Sequence, residues 1–402
     1  MKPWLSVVGI GEDGQEGLSP AARVLIDTAE VLVGGERHLS KVSGEEAERI
    51  AWGEGFPKTL GRIAAMRGRR VVVLASGDPF CYGVGAVLTR RFDIAEMTVI
   101  PAPGAFSLAC ARMGWSLPDV ETLTLHGRPL ECLNFFLTPN ARLLVLGRGG
   151  ETPGKVAELL RGRGFGASRL TVLEHMGGAD ERRLEGHAED WGHPRAADLN
   201  TIAVECAAGG EARWLPRVPG LPDDAFEHDG QITKREVRAV TLARLMPAPG
   251  QRLWDLGAGS GSVAIEWLRA EPTTEALAVE RDAARCAAIA HNGAALGVPR
   301  LEVTRGEAPG ALEGLEPRPD AIFLGGGVST PGLLEFCREA LGGGGRLVAN
   351  AATIEAEASL FAFHEAWGGE LVRLGVARAG PVGRLAGFKP MMEITQLAAV
   401  KP

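Results

Sequence analysis

Short apolar runs recur along the whole chain, separated by stretches whose apolar residues fall every three or four positions. The first pattern predicts buried strands and the second amphipathic helices. In the first half the runs place strands at 4–10, 31–33, 70–75, 97–100, 121–125, 143–146, 170–174 and 200–204. Helices are expected over 20–29, with Ser19 as cap and Pro20 at the first position, and over 107–112 and 153–160. In the second half strands are expected at 252–256, 276–279, 301–304, 320–324 and 346–349, with a closing pair at 371–377 and 392–397. That makes seven. The helices between them are a 263–268 segment, one capped by Asp282 that runs to Leu296, and others at 333–341 and 354–367. Ahead of the first of these strands, Thr233 and Glu236 form a capping box for a helix with Val237, Val240 and Leu245 on its apolar face. Residues 211–224 carry Pro216, Pro219 and Pro222 without periodicity and read as a linker. The expectation is an α/β protein with one domain over 1–210 and a second over 225–402.

Length and composition agree with more than one domain. The chain has 402 residues, 45% of them hydrophobic and 23% charged, too long for a single core. A formal net charge of −7 argues against a nucleic-acid partner. No apolar run approaches ~18 residues and no leader precedes Val7, so no membrane association and a cytoplasmic setting are expected. The six cysteines are scattered without a CxxC, and the eight histidines stand apart from them. No metal site is expected.

The chemistry concentrates at strand ends. Asp255 ends a strand, and Gly257-Ala258-Gly259-Ser260-Gly261 turns the chain into a helix. Such a turn lets backbone approach a ligand closely. Glu280 ends the next strand, where an acid can accept from two ribose hydroxyls. The spacing differs from the dinucleotide fingerprint GxGxxG, and it resembles the S-adenosylmethionine (SAM) site of Rossmann-like methyltransferases. In the first half Gly9-Ile10-Gly11, Ser76-Gly77-Asp78-Pro79 and Pro101-Ala102-Pro103-Gly104 likewise follow strands, and Glu121–Leu125 leads into His126-Gly127-Arg128.

Two longer resemblances sharpen this. Val8 to Gly11, Ala75 to Pro79, Ala102 to Ser107 and Leu125 to Arg128 resemble the tetrapyrrole methylases of the cobalamin pathway, over residues 4–210. The string Val33 to Leu39 is similar to the branch acting at ring carbon C5 of precorrins. The resemblance implies two α/β subdomains with SAM between them, and cofactor contacts at Gly9, Gly11, Gly77, Asp78 and Pro103. The chain's only tyrosine, Tyr82, receives no catalytic role. From Leu221 onward, Phe226–Arg238, Asp255–Glu266, Ile322–Gly327 and Leu347–Asn350 resemble the decarboxylating precorrin C15-methyltransferases, with a Rossmann-like seven-stranded sheet. That resemblance implies SAM contacts at Thr233, Gly257 to Gly261, Glu280 and Ala308, and a substrate side at Gly325, Gly326, Gly327 and Asn350.

Together the two imply a fused enzyme of cobalamin biosynthesis. It would hold one SAM per domain, methylate C5 and C15 of a precorrin and release carbon dioxide from the C12 acetate, with no metal. Both families self-associate, so a homo-oligomer is expected. A general acid or base is not singled out; His126, Asp229 and Glu307 are the candidates. A precorrin carries many carboxylates, which calls for cations beside each cleft. Arg128 serves that purpose in the first domain, and Lys234 and Arg235 in the second. Three other readings stand beside this one: the same reactions on cobalt-containing intermediates, a methyltransferase for RNA or another small molecule, and a fusion in which one half only holds substrate. The acidic charge and the strings at 321–327 and 347–350 weigh against the second, and the intact loops in both halves against the third.

Overall fold

The computed structural model describes residues 3–43 and 46–402. The chain forms two compact units. One comprises the residues up to Leu130 together with Thr138–Arg213; the other comprises Glu131–Leu137 and Trp214–Pro402.

The first unit contains two five-stranded sheets. In the first, β1 (Leu5–Ile10), β2 (Val31–Gly34), β3 (Glu48–Ala51), β4 (Val71–Ser76) and β5 (Met97–Ile100) lie in the order β3-β2-β4-β1-β5, all parallel. The strands are apolar on both sides because both faces are covered. Leu5, Val7, Val31, Val33, Val71 and Val73 enter one core, while Val8, Ile10, Leu32, Val72 and Leu74 enter the other. The second sheet has the order β6-β7-β10-β8-β9, from β6 (Glu121–Thr124), β7 (Arg142–Leu146), β8 (Arg169–Glu174), β9 (Arg182–His187) and β10 (Asn200–Glu205). Here only β6 and β7 are parallel. The sequence pattern does not reveal β3 and β9. Both are edge strands, and β9 buries no residue, so neither needs an apolar run. Ser19 caps the helix Pro20–Asp27 as expected, accepting from the Ala22 amide at 3.2 Å.

The second unit is built on one sheet. Its strands are β11 (Arg252–Leu256), β12 (Glu275–Glu280), β13 (Glu302–Arg305), β14 (Ala321–Leu324), β15 (Arg346–Ala351), β16 (Glu370–Leu374) and β19 (Ile394–Val400), in the order β13-β12-β11-β14-β15-β19-β16. The first five are parallel, and β19 runs antiparallel to both neighbours. The seven expected strands are present. The strand expected at 371–377 ends at Leu374, and a separate antiparallel ribbon, β17 (Ala377–Val382) and β18 (Leu385–Pro390), rises between the closing pair.

Three expectations need correction. The helix Arg235–Leu245 has Lys234 at its cap with no side-chain cap bond, so Thr233 does not form a capping box; Asp223 accepts from the Arg235 amide at 2.9 Å in its place. Glu236 pairs with Arg378 at 2.5 Å and is therefore unavailable to close the box. The expected linker is not free chain beyond Arg213. The Gly220 and Leu221 amides donate to Glu266 at 2.6 and 2.9 Å, and Leu221 is buried. Fully buried Arg238 holds the same carboxylate at 2.6 Å and stacks 4.8 Å from the Phe226 ring centroid, fastening residues 220–226 to the sheet-covering helices. Finally, residues 131–137 fall outside the first domain boundary. Phe135 is buried in the second unit's core, packed where Gly297 has no side chain, and Asn134 donates to the Ala294 carbonyl at 3.2 Å.

Candidate functional site

In the second unit the chain runs from β11 outward to β12 and β13, then returns to β14 on the other side of β11. The crevice beyond the carboxyl ends of β11 and β14 is therefore a topological switch point, where open sheets bind ligands. Gly257 to Gly261 leave β11 there, and Gly325 to Gly327 leave β14. The two loops touch: a Cβ on Gly257 would lie 2.9 Å from Gly326. Gly261 is closed in by Ile289 at 2.8 Å, whereas Gly259, at φ +59°, meets only the Gln231 carbonyl at 3.3 Å. Gly259 is thus the glycine that leaves room beside the turn.

Two buried acids fix that turn. Glu280 accepts from the Gly259 amide at 3.0 Å through Oε2 and from the Asp282 amide at 3.0 Å through Oε1. Asp255 accepts from the Ala264 amide at 3.0 Å, holding the start of the helix Ser262–Ala270. Among the described residues its other oxygen has no partner, and neither does the buried Ser260 hydroxyl. Burial pushes the Asp255 carboxyl up to about 7, the Ala264 amide opposes this, and the Glu280 charge adds to it. Orphaned buried oxygens beside an open glycine fit a cationic ligand with hydroxyl donors such as SAM. Residues 226–233 cross the turn, tied by Asn292, which donates to Glu227 and Ser260 carbonyls at 2.9 and 3.0 Å, and by an Asp229–Arg285 pair at 2.8 Å. Asn350, at the end of β15, accepts from Gln396 at 2.8 Å and donates to Thr241 at 3.3 Å, so its amide is fixed from behind.

The first unit gathers its loops differently. Those after β1, β4 and β5 follow three neighbouring strands. The Gly77 amide donates to Ile10 and the Ala102 amide to Gly77, both at 3.1 Å. A Cβ on Gly9 would run into the Gly77 carbonyl and sit 2.5 Å from the Ala102 nitrogen. One on Gly77 would lie 2.9 Å from the Pro103 carbonyl. Gly9, Gly77, Asp78 and Pro103 are thereby brought together, with Gly11 in the turn beyond them. Asp78 folds its loop by accepting from the Phe80 amide at 2.8 Å.

Two family models match the chain: Tetrapyrrole (Corrin/Porphyrin) Methylases over residues 5–191 and Precorrin methyltransferase domain over 224–401. A precorrin-6Y C(5,15)-methyltransferase [decarboxylating] of Sinorhizobium sp is 50% identical over 405 residues, covering 100% of this chain and 97% of that protein. The chain belongs to this family. A Mycobacterium tuberculosis protein with the same name is 42% identical over 98% of this chain and 99% of its own. A cobalt-precorrin-7 C(5)-methyltransferase of Salmonella typhimurium is 35% identical over 44% of this chain and 88% of its own. The protein is a SAM-dependent methyltransferase with the two α/β folds described above.

The remaining candidate residues of this precorrin-6Y C(5,15)-methyltransferase family member separate by surroundings. His126 follows β6, its ring without a hydrogen bond among the described residues, and burial and the charge of Arg148 lower its pKa. Arg128 lies 5.2 Å from the Tyr82 ring centroid. Asp229 is held below the usual carboxylate range by the Gln231 amide and Arg285, which suits a fixed anion better than a proton carrier. Glu307 is exposed and pairs with Arg281 at 3.2 Å. Arg235 gives its amide to Asp223, and Ala308 packs against the core. Lys234 reaches only the Gly230 carbonyl, at 3.5 Å.

Sequence reasoning missed a charge cluster at the carboxyl edge of the first sheet. Glu12 holds Lys41 at 2.7 Å, His175 at 3.2 Å, and Arg37. Burial opposes its ionisation, but hydrogen bonds from Lys41 and His175 and the charges of Arg37 and Lys41 prevail and lower its pKa. Beside it, burial first and then Arg37 and Lys41 depress His38 to about 4, leaving a neutral ring 2.8 Å from the Ser76 hydroxyl. Glu12 directly follows Gly11, and Arg37 and His38 lie inside the string 33–39, so the signal was adjacent to motifs already noted. Tyr82, given no catalytic role above, stands out by its backbone. It adopts φ +53°, rare for a bulky residue, and donates to the Thr122 carbonyl at 3.3 Å. Among the described residues no group of three or more His, Cys, Asp or Glu side chains could hold a metal, and no helix is long and apolar enough to cross a membrane.

Proposed function

We propose that each unit binds its own SAM, that the first methylates C5 of the precorrin, and that the second methylates C15 and releases carbon dioxide from the C12 acetate, giving precorrin-8X. The observation that carries this reading is the presence of two separately built strand-end loop sets, one around Gly9, Gly77 and Pro103 and the other at Gly257 to Gly261. The family name covers both carbons, and the Salmonella relative, named for C5 alone, matches 44% of this chain. SAM supplies a methyl group already activated by its sulfonium.

The residues then have positional work. In the second unit Glu280 keeps lone pairs beyond its two amide bonds and can accept from vicinal ribose hydroxyls. The unpartnered Asp255 and Ser260 oxygens favour a cation. Asn350, held by Gln396 and Thr241, presents a fixed amide at the substrate side with Gly325 to Gly327. Thr233, Ala258 and Ala308 complete the wall. In the first unit Gly9, Gly11, Gly77, Asp78 and Pro103 line the cofactor side, and Arg128 offers a cation to a substrate carboxylate. Fixing the two reactants in line supplies much of the rate, and the reaction needs no metal. The protein works as a homo-oligomer in the cytoplasm.

The test incubates the pure protein with SAM and either metal-free or cobalt-bound precorrins and follows product mass with positional labels. Two methyls gained and one carbon dioxide lost are expected from the unaltered chain. Asp78→Ala should remove only the C5 methyl. If Asp78→Ala removes the C15 methyl and spares C5, the assignment is reversed.

A further inference from the structure

The ribbon β17–β18 belongs to the ligand edge of the second sheet. β19 runs against β15, with Asn350 opposite Gln396 and Ala351 opposite Thr395. Its first residues therefore lie at the carboxyl end of the parallel strands. Leu374, the last residue of β16, is opposite Ile394 at the same edge. The ribbon between them rises from the edge that carries Gly257 to Gly261, Gly325 to Gly327 and Asn350.

Its orientation follows from register, because directly paired residues share a face. Arg378 pairs with Lys389, Gly380 with Gly387 and Val382 with Leu385. Arg378 reaches Glu236 at 2.5 Å and Asp223 at 3.2 Å. The face it shares is thus turned toward the start of the helix Arg235–Leu245, next to the segment that crosses Gly259. On that face the two glycines leave the middle low, with the Val382 methyl 3.0 Å from where a Gly387 Cβ would stand and the Lys389 stem 3.7 Å from the same point on Gly380. Leu385 is 78% exposed and Val382 56%. The ribbon contains no acid, and among the described residues neither Arg384 nor Lys389 has an ion-pair partner.

A flat apolar strip with unpaired cations at its rim has the chemistry of a conjugated ring edged with carboxylates. We propose that this ribbon sets tetrapyrrole specificity in the second unit: Val382, Leu385 and the low glycine strip lie against the ring, and Arg384 and Lys389 pair with its peripheral carboxylates. This rests on the assignment of C15 methylation to the second unit. Arg378 acts as the positioning residue that aims the ribbon.

The full chain carrying Arg384→Gln with Lys389→Gln, and separately Leu385→Ser, tests it. All three positions are exposed, so folding should survive, as circular dichroism would verify. The KM for precorrin in C15 methylation should rise about tenfold, with kcat, SAM affinity and C5 methylation unchanged, and Arg384→Lys with Lys389→Arg should restore it. Unchanged KM in both variants overturns the proposal. A lowered mass in sedimentation with unchanged KM also overturns it, and gives the ribbon to a second copy of the chain. If the unaltered protein methylates no precorrin at C15, the functional assignment itself falls, and the ribbon proposal with it.

Discussion

The two units bring backbone segments close together at their strand ends by different constructions. In the second unit a single turn after β11 does so, through glycines at positive φ and two buried acids that grip the turn from below. In the first unit three loops from distant parts of the chain interlock, and Gly9 is a glycine because a neighbouring loop occupies its Cβ position. One site depends on local conformation, the other on tertiary convergence. Damage should therefore spread differently through them.

The largest contrast lies in the glycines. Gly9→Ala drives a methyl into backbone and should cost about 3 kcal/mol or more, unfolding the first unit's ligand edge and abolishing C5 methylation. Gly259→Ala should cost only about 1–2 kcal/mol for its left-handed conformation, leaving a folded chain that loses C15 methylation through weakened SAM binding. Denaturant titration and product mass together decide this. Equal losses of stability in the two variants would break the comparison.

Glu280 gives the next effect. Glu280→Ala leaves the part-buried Gly259 and Asp282 amides without their acceptor, a loss of about 1 kcal/mol, and should weaken SAM at the second site while the first keeps its affinity. Calorimetric titration of the full chain with SAM should show one equivalent bound more weakly than in the unaltered protein and the other unchanged. If the titration matches that of the unaltered protein, Glu280 has no part in the cofactor cradle.

The last contrast is a pH dependence of opposite sign in the two units. Asp255 is raised to about 7 in the fold, from about 4 when unfolded. The folded state then binds more protons between these values, so the second unit loses stability as pH rises from about 4 to about 7. His38 is depressed to about 4, from about 6.5 when unfolded. There the unfolded state binds the extra proton, and the first unit gains stability as pH rises across that window. Comparing each of Asp255→Asn and His38→Gln with the unaltered protein should give difference curves of opposite slope. Parallel curves would remove this distinction.

The same contrast explains what the sequence disclosed. The 257–261 turn, Asp255 and Glu280 lie within one strand-turn-helix-strand stretch, so spacing alone marks them. Gly9, Gly77 and Pro103 meet only through strand order, which no local spacing encodes, and family resemblance had to supply their grouping. The paired core faces of β1, β4, β11 and β14 were legible because both sides of these strands are buried. The edge strands β3 and β9 were not, since solvent tolerates any pattern there. The cap at Thr233 was misread because the acceptor for the Arg235 amide, Asp223, comes from outside the helix. Glu12, Lys41 and His175 escaped because their meeting depends on two sheets folding together.

Residues 131–137 carry a consequence for how this polypeptide is made. Phe135 leaves the ribosome long before Gly297, the residue it packs against, and the remainder of the first unit is synthesised in between. The second core therefore closes around a residue made before the whole of Thr138–Arg213, a contact of high sequence separation. A gene divided between residues 213 and 214 would put Phe135 on the other polypeptide and so take a buried side chain out of the second unit's core.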